Sequence, residues 1–295
     1  RWLPKGHVEV GQSVKNIRRV VSLLAALGLC TMSACSSDPT IKEESAPQTT
    51  SELPDRAQVQ AQLDRAADKT AKKYHAQVGV AISADDGALV AGDKGKGPVW
   101  STIKVPIAIA ALKDGADKSL VDLAIKESDN DAAFALWSQV QWREGSAENA
   151  VEALLDDYGS HADIHDSAFG YSTWPLKDQA VFGAELPCIP EADYVHKVLK
   201  DIVSWQRVGL SAQPRTRAKS GWGLDEEENE YTYRQFGVHE VDGKRVGVAL
   251  SVVMDGEDYA DAEPAVKYLA HQLVDIVDTG VDAGDIKAVA HCKTR

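Results

Sequence analysis

Ser101 and Lys104 stand three residues apart just ahead of an apolar run, Ile107 to Leu112. On a helix that spacing puts a hydroxyl and an amine on one face, roughly 5 to 6 Å apart at Cβ. A serine hydroxyl is a weak nucleophile until a base takes its proton, and lysine serves as that base only where burial or a second cation pulls its pKa down from about 10.4. The pair therefore needs another lysine close by. Alone it is a weak signal, because S-x-x-K arises about once by chance in a chain of this length, and a capping serine beside a solvated lysine explains it equally well.

Two further groups supply what the pair lacks: Ser128-Asp129-Asn130, and then Lys219-Ser220-Gly221. The order S-x-x-K, S-D-N, K-[ST]-G resembles that of class A β-lactamases and penicillin-binding proteins, the serine acyl-enzyme superfamily. The resemblance implies that Ser101 is the acylated nucleophile, Lys104 its base, and Ser128 the group that passes a proton to the leaving nitrogen. Lys219 would lower the pKa of its neighbours and hold a substrate carboxylate with help from Ser220, and Asn130 would bind a substrate amide. The backbone N–H groups of Ser101 and of Trp222, the residue after Gly221, would form the oxyanion hole. The implied substrates are β-lactams or D-alanyl peptides of the peptidoglycan type, with no cofactor and no metal. Each residue also has a plainer reading: Ser101 and Ser128 as caps, Lys104 and Lys219 as surface charges, Asn130 as a turn residue. The side chains of Trp174 and Trp222 read as packing groups.

The chain departs from that family in two places. Ser101 and Ser128 are 27 residues apart, roughly half the family's separation, which implies a shortened helical insert. The family's E-x-x-L-N motif, whose glutamate aims the deacylating water, has only a partial counterpart in Glu152-Ala153-Leu154-Leu155-Asp156, and Asp163 and Asp166 lack the flanking pattern. Three functions fit: a penicillin-binding acyl-enzyme, a true β-lactamase, or a catalytically inactive lipoprotein of the same fold serving as an envelope binding or scaffold protein.

The elements that must position these residues follow from periodicity and turn chemistry. Apolar residues at helical spacing predict a helix from Asp55 to about Tyr74, and Gln77 to Ser83 followed by Asp85-Asp86-Gly87 predicts a β-hairpin to Gly92. A helix is expected from Ser101 to Asp114, another from Ser119 to Glu127 returning Ser128 to Ser101, and a third from Asp131 through Trp137. Gln139 to Gly170 has no readable period. Helices are then expected from Tyr171 to Glu185 and from Pro190 to Trp205, strands over Thr216–Gly223, Tyr231–Glu240 and Lys244–Met254, and a closing helix over Asp261–Val277. The layout is α+β: a β-lactamase-like antiparallel sheet covered by helices, with a shortened all-helical insert.

Composition sets the boundaries. The chain has 295 residues, 44% of them hydrophobic and 26% charged, with a net charge of −13, so a sizeable core is possible and nucleic acid is disfavoured as a partner. Val20 to Leu29 is too short an apolar run to span a bilayer and follows Lys15, Arg18 and Arg19, the pattern of a signal peptide, with translation starting near Val14. Met32-Ser33-Ala34-Cys35 resembles a lipoprotein cleavage box, which makes Cys35 the lipid-bearing residue. Residues 1–34 would then be removed, 35–54 would form a polar tether, and 55–295 a β-lactamase-like serine hydrolase domain held at the extracytoplasmic face of a bacterial membrane. Loss of residues 1–34, with five cations and one anion, takes the net charge to −17, so the acyl chain must hold the protein to anionic lipid. Cys188 and Cys292 remain, as a disulfide or as two buried thiols. The eight histidines form no metal-ligand spacing.

Overall fold

The structure is a computed structural model that describes residues 55–95, 97–166, 168–256 and 259–293. The signal segment, Cys35 and the tether lie outside the described residues. Helix α1 (Arg56–Tyr74) starts where Asp55 accepts a hydrogen bond from Gln58 N, and buries Val59, Leu63, Ala66, Ala67 and Thr70 along one stripe of helical period. Strands β1 (Gln77–Ala84) and β2 (Gly87–Gly92) form the expected hairpin. With β3 (Thr216–Asp225), β4 (Glu230–Val241) and β5 (Lys244–Asp255) they make one antiparallel sheet in the order β2-β1-β5-β4-β3. The strand carrying Lys219 is thus a sheet edge.

Helices cover both faces of this sheet, which is why its central strands read as almost unbroken apolar runs. Val80, Ile82, Val248, Leu250 and Val252 pack against α1 and the closing helix α8 (Tyr259–Ala283). Ala81, Phe236 and Ala249 face the opposite way, toward α6 (Leu176–Glu185). Small residues let α6 lie directly on the sheet: a Cβ on Gly247 would collide with the Ala180 carbonyl, and one on Gly183 with the Gly237 carbonyl.

Beyond α6 lies the helical insert: α2 (Lys104–Lys113), α3 (Lys118–Asp122), α4 (Asn130–Glu144), α5 (Ala147–Asp157) and α7 (Asp193–Val198). Several boundaries differ from expectation. The unreadable stretch after Gln139 contains α5, capped by Ser146. The helix expected from Tyr171 begins only at Leu176, because Ser172 and Thr173 are extended and bonded to Val99 N and Asp163. The helix expected over Pro190–Trp205 is broken into α7 and short 3-10 turns. There Val203 N–H donates to Lys126 O at 3.1 Å and Gln206 Nε2 to Glu127 O at 2.6 Å, so ties to the neighbouring turn override the helical period. Cys188 and Cys292 form a disulfide, with Cα atoms 5.4 Å apart.

Candidate active site

Ser101 sits on a single 3-10 turn, Trp100–Ile103, that leads into α2. Trp100 enters it with φ of 48°, a left-handed conformation that a bulky residue adopts only when its surroundings impose it. Those surroundings are the edge strand β3. A Cβ on Gly221 would lie 2.6 Å from Ser101 N and 2.8 Å from Thr102 N, and a Cβ on Gly223 would lie 2.8 Å from the Trp100 ring. Two glycines on the same face of β3 thus let the serine turn rest on the strand's backbone. The turn brings Ser101 N–H beside Gly221, the residue before Trp222.

Ser128 arrives by a different device. After α3 the chain winds through a wide π turn, Leu123–Glu127, and Ser128 takes φ of 57°; Asp129 then caps α4 by accepting from Ala132 N at 2.7 Å. This break in the helix turns Ser128 toward both lysines. Lys104 Nζ donates to Ser128 O and to Asn130 Oδ1, each at 2.6 Å, and lies 3.4 Å from Ser128 Oγ. Lys219 Nζ lies 3.0 Å from Ser128 Oγ and donates to Ser220 O at 3.0 Å. Side-chain contacts therefore join Lys104, Ser128, Asn130 and Lys219. Among the described hydrogen bonds none ends on Ser101 Oγ, which is placed through its backbone.

Both lysines are 1% exposed. Burial lowers Lys104 to about 8, with the Asp129 charge opposing the shift. Burial and then the Lys104 charge hold Lys219 well below the ordinary lysine range. Burial and its neighbour thus both favour the neutral form of Lys219, while Lys104 carries a proton below about pH 8. Chemically, the lone pair of Lys219 can take the Ser128 proton, and the freed Ser128 oxygen can in turn accept one. The sequence pattern assigns the base role to Lys104, yet the donors of its ammonium point at Ser128 O and Asn130 Oδ1.

Sequence reasoning missed three supports. Arg234, fully buried, donates to Gly97 O and Trp174 O at 2.7 Å each and to Gln179 Oε1 at 3.3 Å, and burial lowers it to about 10. Gln179 passes the tie on to Thr102 Oγ1 at 3.1 Å, so a buried guanidinium holds the segment entering the serine turn. Gln235 donates to Ser220 Oγ at 2.7 Å. The β3–β4 register, with Ser220 opposite Gln235, reveals the last of these pairings, while those of Arg234 and Gln179 join segments far apart in the chain. Trp174 is core, edge-on to Phe236 with centroids 4.8 Å apart, and Trp222 stacks on Tyr233 at 5.4 Å, the packing roles expected of their rings.

The partial glutamate motif is occupied elsewhere: Glu152 Oε1 accepts from Ile164 N at 3.0 Å. Beside β3, the short turn Phe169–Tyr171 also packs against the serine turn, with the Tyr171 ring 5.1 Å from that of Trp100. None of these three is a carboxylate. Among the described residues no group of three or more His, Cys, Asp or Glu could hold a metal.

No family model matches the chain, and no curated protein matches it. Solved structures do. A representative class A β-lactamase from Bacteroides cellulosilyticus superposes with a TM-score of 0.62 at 14% identity, covering 75% of this chain and 99% of that one. The TLA-3 extended-spectrum β-lactamase gives 0.60 at 14% identity, covering 74% and 99%. A β-lactamase from Chitinophaga pinensis gives 0.57 at 15% identity, covering 72% and 97%. At this level of identity the likeness establishes the fold, which is β-lactamase-like.

Proposed function

We propose that the chain is a serine acyl-enzyme of the β-lactamase and penicillin-binding type, in which Ser101 attacks a β-lactam or D-alanyl carbonyl. One observation carries this reading: two lysines, each 1% exposed, converge on the hydroxyl of Ser128. Burying two amines against one hydroxyl costs desolvation of both. Its chemical effect is to keep an amine neutral near pH 7, which serine activation requires. Lys219 and Ser128 form the proton path, Lys104 orients Ser128 and Asn130, and the N–H groups of Ser101 and Trp222 receive the oxyanion. With Phe169–Tyr171 against the serine turn and Glu152 bound to Ile164 N, acylation outpaces deacylation. The disulfide, a bond typical of oxidising compartments, supports anchoring through Cys35 at the outer face of a bacterial membrane, with residues 55–295 as the hydrolase domain. Incubation with several β-lactams and acyl-D-alanyl peptides, followed by intact-mass measurement, tests the reading. It requires a stoichiometric adduct that persists for minutes and is absent from Ser101→Ala.

The lack of a carboxylate on Phe169–Tyr171 also favours a second reading, a binding or scaffold lipoprotein that retains the fold without turnover. No adduct with any acyl donor would select it.

A further inference from the structure

In the acyl-enzyme reading Lys219 has a second task, holding a substrate carboxylate beside the reacting carbonyl. Its contacts leave that task without a fixed positive charge. Lys219 Nζ is turned inward to Ser128 Oγ and Ser220 O, both at 3.0 Å. Burial and the neighbouring Lys104 charge favour its neutral form. The next group along the strand is the Ser220 hydroxyl, and the side chain that reaches it is an uncharged amide. Gln235 Nε2 donates to Ser220 Oγ and to Val208 O at 2.7 Å each, while Gln235 Oε1 accepts from Leu210 N at 2.7 Å. Both N–H donors of that amide are therefore spent on the protein. Ser220 accepts from Gln235 and keeps its own proton to donate, so the side chain at this position offers one neutral donor. The nearby Lys104 ammonium is committed to Ser128 O and Asn130 Oδ1, so a carboxylate desolvated at Ser220 would lack a free counter-charge, whereas a carbonyl would be satisfied. The field around the strand works the same way: β3 ends at Asp225, and Glu226, Glu227, Glu228 and Glu230 follow in a chain of net charge −13, which repels anions approaching that edge.

We propose that the leaving-group side of the cleft takes a neutral group, an internal amide or an ester, rather than the free carboxylate of a terminal D-amino acid. This rests on the acyl-enzyme reading and narrows its substrates to acyl donors whose leaving group continues as a chain or is esterified or amidated. The Ser101 oxygen bonds the acyl carbon, the acyl carbon–nitrogen bond breaks, and the Ser101 proton reaches the leaving nitrogen through Ser128. No further reactant is needed.

The test compares matched pairs on the whole mature protein: a β-lactam as its free acid and as its methyl ester, and an acyl-D-alanyl-D-alanine as its acid and as its C-terminal amide. Acylation is followed by intact mass, and each rate is divided by that compound's own hydrolysis rate in hydroxide. The neutral member is expected to acylate Ser101 at least about tenfold faster in both pairs. Gln235→Arg, which adds the missing cation, is expected to reverse the order; the wild-type comparison stands whether or not that variant folds. Equal rates or a faster acid overturn the proposal while leaving the acyl-enzyme reading intact. Labelling by neither member overturns both.

Discussion

The buried amine of Lys104 has a thermodynamic signature that can be measured without any substrate. Its pKa falls from 10.5 in an exposed setting to about 8 in the fold, chiefly by desolvation. Because the folded value lies below the unfolded one, the unfolded chain binds the extra proton between the two values, and stability rises with pH across that window. The contribution is complete above about pH 10.5 and is lost as pH falls through about 8. At 1.36 kcal/mol per unit, the difference between pH 7 and pH 10 is about 2.5 kcal/mol. Lys104→Met removes this titration. It also leaves Ser128 O and Asn130 Oδ1 without their donor, a roughly constant cost of about 1 to 3 kcal/mol. Lys219 titrates in both proteins and is lowered chiefly by burial, which the substitution leaves in place, so its contribution largely cancels. Urea unfolding of wild type and Lys104→Met at pH 7 and pH 10 should therefore show the stability difference moving by about 2.5 kcal/mol in favour of wild type at the higher pH. A difference that is the same at both pH values would mean that Lys104 is not a desolvated amine, and the reasoning about the lysine pair would fail.

Gly221→Ala places a methyl group against Ser101 N and Thr102 N, so acylation should fall by about 10² to 10³, as when an oxyanion donor is lost; an unchanged rate constant in stopped-flow labelling would separate Gly221 from the hole. Arg234→Met strands the carbonyls of Gly97 and Trp174, and denaturant titration should show a loss of about 2 to 5 kcal/mol, with less than about 1 kcal/mol showing that the clamp is dispensable. Cys188 and Cys292 should resist thiol alkylation until reduced, and reduction should cost about 4 to 5 kcal/mol for a separation of 104 residues. Alkylation without reductant would exclude the bond.

The pairing of motifs was legible because it is local chemistry: Ser101 and Lys104 share a turn and Lys219-Ser220-Gly221 lies on a strand. The strands were also legible, since Val, Ile and Tyr alternate or run unbroken through them. What stayed hidden depends on contacts far apart in the chain. Pro190–Trp205 carries helical spacing but is tied to Lys126 and Glu127, whereas α5, with Ala147, Val151 and Leu155 buried at helical spacing, carried a readable period inside a stretch that is polar as a whole. The π turn before Ser128 is absent from the pattern because its cause is where Ser128 must point. Gln235 and Arg234 look like ordinary strand residues until the register sets them opposite Ser220 and Gly221.

The most direct test of the central claim is to map the acyl group. The protein is quenched seconds after mixing with a reactive acyl donor, digested, and its peptides weighed. The account predicts one modified peptide, containing Ser101, with formation slowed by orders of magnitude in Lys219→Met and Ser128→Ala. An adduct on any other residue, or equal labelling of Ser101→Ala, would contradict it.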